Sequence, residues 1–132
     1  MRAAVRAWID SVATTVVHPS ELDAVLGPEP RSGVTLVSDD GRQILHVTFD
    51  GDRSGLCWEA GTELLLSWGP VPPGAPAGQV VDDAEYAYDN PWFALPDGGE
   101  PFEITAARAR QAAHEFLRTG ARPANVQWVV KP

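Results

Sequence analysis

A chain of 132 residues with 44% hydrophobic and 21% charged side chains is long enough to bury one real core and too apolar to be disordered. Its net charge of −8 disfavours direct nucleic-acid binding, because phosphate contacts need Lys and Arg. No run of about 18 apolar residues offers a membrane span, and a single Cys excludes an internal disulfide.

Met1–Asp10 alternates Ala3, Val5, Ala7 and Ile9 with Arg2, Arg6, Trp8 and Asp10, the period of a strand. Arg6, Trp8 and Asp10 interrupt the apolar run that a secretion signal would need. VATTVV (12–17) extends this strand or adds a second short one. HPSELDAVLG (18–27) reads as a compact helix with Ser20 as N-cap and acids in the first turn. Leu22, Val25 and Leu26 would point inward, and Gly27 would stop it. Residues 33–69 have the rhythm of an antiparallel meander, four β-rich runs with turns at Asp40-Gly41, at Gly51-Asp52 and near Gly61. Cys57, between Leu56 and Trp58, reads as a buried, inert thiol in a reducing cytosol.

GPVPPGAPAGQVV (69–81) holds four prolines, which forbid a regular ladder and make it a surface loop. AEYAYD (84–89) offers a further strand, and NPWFALPDGGEPFEI (90–104) an irregular run. From Thr105 as N-cap to about Thr119 the periodicity predicts a helix. Ala109, Ala112, Ala113, Phe116 and Leu117 form its apolar face; Arg108, Gln111, Glu115 and Arg118 form its wet one. Gly120 stops it, and ANVQWVV (124–130) is a last strand. This order predicts one α+β domain over residues 1–132. Its mainly antiparallel twisted sheet would hold about six or seven strands, with a short early helix and a longer C-terminal helix packed on it.

No catalytic or metal-binding constellation emerges. His18, His46 and His114 are scattered, without ligand spacing. Ser20 and Ser67 lack a nucleophile's context. The pairs Asp39-Asp40 and Asp82-Asp83 could in principle do acid–base work, yet adjacent acids in turns ordinarily satisfy their own backbone. No Gly-rich phosphate loop stands between a strand and a helix. The expectation is a protein that is not an enzyme and holds neither cofactor nor metal.

Charge distribution is more informative. Residues 54–107 carry nine acids and no base, whereas residues 108–132 carry five bases and one acid. Such polarity steers cationic partners. Within the acidic window, DDAEYAYDNPWF (82–93) gathers four carboxylates and four rings, a composition suited to gripping a positively charged surface. Trp58 and Trp128 lie in alternating apolar runs and read as core. Trp92, flanked by Pro91 and Phe93, and Trp68, just before the proline-rich loop, are better candidates for contact, since Trp and Tyr dominate interface hot spots. Trp8 is a weaker one.

The C-terminal stretch AHEFLRTGARPANVQW (113–128) runs from a helix ending in Glu-Phe-Leu-x-Thr-Gly through x-Arg-Pro to a strand with Val-x-Trp. It resembles the first-numbered immunity-protein family of bacterial polymorphic toxin systems. HPSELDAVL (18–26) is similar to that family's early helix, with Glu21, Leu22 and Asp23 following Ser20 directly. LSWG (66–69) and ALPDGGEPFEI (94–104) fit its middle in order. The resemblance implies a cytoplasmic, non-catalytic antitoxin that binds a cognate toxin domain in a 1:1 complex. The family's toxins include nucleic-acid deaminases and nucleases. Such toxins need basic grooves for phosphates, and an acidic, aromatic cap would occupy one. The expected toxin contacts are therefore Trp68, Asp82, Asp83, Glu85, Tyr86, Tyr88, Asp89, Trp92 and Phe93. The tail motif has a structural account instead, with Gly120 as left-handed cap, Pro123 as helix stop and Trp128 as strand anchor. Two competing readings stand beside this one: an acidic small-molecule-binding or scaffolding α+β domain, and an acid–base hydrolase.

Overall fold

The computed structural model describes residues 4–27, 33–82, 87, 90 and 102–131. Its elements run β1 (Val5–Ile9), β2 (Val12–Val16), α1 (Pro19–Leu26), β3 (Gly33–Ser38), β4 (Gln43–Asp50), β5 (Arg53–Ala60) and β6 (Glu63–Pro70). They continue with β7 (Val80–Val81), β8 (Ile104–Thr105), α2 (Ala106–Thr119) and β9 (Val126–Val130). The strands form one sheet in the order β2-β1-β3-β4-β5-β6-β9-β7, with β8 paired to β5. Every pairing is antiparallel except β7 with β9. The α+β class is as expected, but the described residues hold nine strands. The additional ones are β7 and β8, two residues each. Such pieces are too short to show a period, and only a neighbour reached through tertiary folding makes them strands. The proline-rich stretch is likewise shorter as a loop than expected, since β6 runs on to Pro70 and β7 begins at Val80.

Asp10 and Ser11 both take positive φ (49° and 71°), the two-residue turn whose twist matches a tight hairpin. VATTV is thus a separate strand folded back on β1 and forms the sheet edge. In α1 the cap is His18 rather than Ser20, with Pro19 in the first turn, where its missing N–H costs nothing. The Glu21 carboxylate accepts from the backbone N–H of His18 (2.9 Å) and of Val17 (3.0 Å). These bonds, His18's foremost, hold the Glu21 carboxyl below its ordinary value. Their contribution is complete above the usual carboxylate range and is lost as pH falls through the lowered folded value. Glu21→Gln is therefore expected to flatten the acid limb of a melting-temperature profile against pH. An acid limb as steep as the wild type's would refute this role.

The helices α1 and α2 cover the same face of the sheet. Leu22, Val25 and Leu26 of α1 and the predicted apolar stripe of α2 are all buried there. They pack against inward residues of the central strands such as Leu36, Leu45, Leu56, Trp58 and Leu65. Ala109, Ala112 and Ala113 let α2 lie close to the strands, and Phe116 meets Trp58 edge-to-face at 5.6 Å. Thr105 caps α2 by accepting from the Arg108 N–H, and Gly120 ends it at φ 70°.

The tail motif acts as joinery. The Trp128 indole donates to Pro123 O at 2.9 Å. Arg122 donates to Glu63 and to Gly78 O, both at 3.2 Å, while Glu63 also accepts from the Trp58 indole at 2.9 Å. Glu115 accepts from the Ala124 N–H. These bonds tie the helix end, the proline-rich loop and the β5–β6 turn into one corner.

Candidate protein-docking face

Strand alternation that sends Leu45, Val47, Leu56 and Trp58 to the helices sends their neighbours to the opposite face. One cross-strand row there runs Trp8, Thr35, His46, Cys57, Leu66. A parallel row runs Arg6, Val37, Ile44, Glu59, Leu64. Most of these side chains are half-buried, and Trp8 is 40% exposed. Among the described residues no helix lies over this mixed apolar and polar surface across β1 to β5.

At its far end this face is covered. Trp68, Val129 and Ala87 make a second small core, with Val81 and Phe102 packed against it. Ala87 belongs to the acidic stretch, so at that residue the segment after β7 lies over β6 and β9. Phe102 marks its return, with φ 67° and its ring edge-on to Trp68 at 5.9 Å. Ser67 Oγ completes the junction by accepting from the Leu56 N–H (3.0 Å) and donating to Phe102 O (3.3 Å).

His46, Cys57 and Glu59 are adjacent on the open face, and their residue types invite a nucleophilic reading. The geometry argues against it. Both ring nitrogens of His46 are engaged, Nδ1 by Thr35 Oγ1 at 3.1 Å and Nε2 by Glu59. Burial pushes the Cys57 thiol up from its ordinary value, whereas a working nucleophile needs a stabilised thiolate. Cys57 is also half-buried on the open face, not in the core. Its place between the inward Leu56 and Trp58 already carried that signal. Among the described residues no group of three or more His, Cys, Asp or Glu could hold a metal ion. Nor is any described helix long and apolar enough to cross a membrane.

Of the expected toxin contacts, Asp82 is exposed directly after β7. Trp68 is 0% exposed, which corrects its expected place on the surface. β6 turns its ring into the second core, where it packs with Ala87 and Val129 and has no area left to offer a partner. Asp83, Glu85, Tyr86, Tyr88, Asp89, Trp92 and Phe93 lie outside the described residues, as does most of the further strand expected over 84–89. Sequence reasoning missed the open floor formed by Val37, Ile44, Leu64 and Leu66. Its signal was the second phase of the same alternations that identified the core.

The family model described as "Immunity protein Imm1" matches residues 2–130. Among curated proteins there is no match.

Proposed function

The chain belongs to the Imm1 family of immunity proteins, and from that premise we propose that it neutralises a cognate toxin domain acting on nucleic acid by covering its basic substrate groove. The charge distribution carries this reading: nine acids and no base between Ser54 and Ala107. A protein of that polarity repels nucleic acid and attracts what binds nucleic acid. The acidic aromatic stretch 82–93 contributes to the grip through its carboxylates and its rings Tyr86, Tyr88, Trp92 and Phe93. The partner is a deaminase or nuclease domain held 1:1 in the cytoplasm, and this chain performs no chemistry of its own.

The experiment is competition. Toxin domain inactivated at its catalytic residues should bind labelled DNA or RNA when free and lose that binding on addition of one equivalent of this protein. A ternary complex, with nucleic acid held as tightly as by the free toxin, would show that the groove is not what is covered.

A further inference from the structure

The open face of the sheet has a step where the covered end begins, and a groove of about 350 Å³ lies there. Gly55, Cys57 and Leu66 line its floor, Phe102 its wall and His46 its side. Carboxylates border it: Asp50 and Glu103 line the groove, and Glu59 adjoins it through His46. Arg53 pairs with Glu103 at 3.5 Å, so the border remains acidic on balance.

Gly55 sits within β5, where glycine weakens a strand and often marks the close approach of another group. Its backbone has no positive φ to demand glycine. A Cβ there would lie 3.4 Å from Thr48 Oγ1 and 3.5 Å from Phe102 O, contacts that a modest adjustment accommodates. Neither conformation nor clash therefore requires the missing side chain. Its consequence is an open groove floor.

We propose that this groove is the anchor point of the toxin interface, receiving one large apolar side chain from a toxin segment whose flanking residues are basic. This rests on the immunity reading above and adds to it the place and chemistry of the central contact. An apolar floor selects an apolar anchor, and hot spots cluster where such an anchor fills a pocket ringed by polar contacts. The border carboxylates select basic flanks. A volume near the lower end of the range for ligand pockets, about 300–1,000 Å³, suits a protruding side chain.

Cys57 supplies the readout, since it is the only thiol in the chain and lines the floor. Its raised pKa means that alkylation should be run at alkaline pH. Iodoacetamide labelling is followed by mass spectrometry on the Cys57 peptide, for this protein alone and saturated with its cognate toxin domain inactivated at the catalytic residues. The complex is expected to slow labelling by about tenfold or more, and Gly55→Val to weaken capture by about tenfold or more, with Gly55→Ala in between. Labelling of wild-type Cys57 at an undiminished rate within an otherwise stable complex would overturn the groove proposal and leave the immunity reading intact. A folded Gly55→Val that binds like wild type would do the same. Failure of the two proteins to associate at all would overturn both.

Discussion

Replacing Trp128 with Ala is expected to cost about 3–5 kcal/mol of stability, and Phe116→Ala a similar amount, the range for removing a large buried ring. Both side chains are 0% exposed. Trp128 sits in β9 between Ser67 of β6 and Val80 of β7, and its indole closes the corner onto Pro123 O. Truncating it leaves a cavity where three strands meet and deprives that carbonyl of a donor. Phe116 joins α2 to the sheet through its edge-to-face contact with Trp58, and small alanines elsewhere on the helix cannot close the gap. Against a typical domain stability of about 5–15 kcal/mol, either change removes a large fraction. Denaturant unfolding should show the midpoint falling with little change in slope. A loss below about 1 kcal/mol for either variant, as surface substitutions usually give, would show that the ring is not where the fold is held.

Asp82→Asn combined with Asp83→Asn is expected to slow toxin capture and flatten its dependence on salt, whereas Trp92→Ala should speed release. Exposed carboxylates at an interface rim act through the long-range field, which accelerates encounter and is screened by salt. A ring that becomes desolvated on docking acts on residence time instead. As a hot spot it is worth about 2 kcal/mol or more, roughly a thirtyfold faster off-rate. Kinetics at two salt concentrations separate these effects. Variants that all match wild type in both rates would place the interface away from residues 82–93. The groove at Cys57 lies on the same face as the second core that Ala87 helps to form, so one partner can engage both.

Alternation and helical spacing made the core legible, because burial of one side of a regular element leaves a repeating mark. Val5 and Ala7, the meander from β3 to β6, and the stripe from Ala109 to Leu117 could all be read in this way. So could the caps at Thr105 and Gly120 and the stop at Gly27, where local backbone needs dictate residue type. The acidic window and the family's tail motif were also present in the bare sequence, and with them the function class.

What the sequence left open depends on which surfaces meet. Ser20 is a good capping residue, but Pro19 and the Glu21 carboxylate bonding back to Val17 and His18 moved the cap to His18. Nothing local to Trp68 says that Ala87, Val129 and Phe102 will close over it. A ring before a proline-rich loop is equally suited to the surface until a second segment covers it. β7 and β8 are strands only because β9 and β5 lie beside them. The groove at Gly55 likewise exists only where the open sheet meets the chain returning through Phe102. Periodicity records which side of each strand is buried; only long-range packing decides which part of the opposite side is left for a partner.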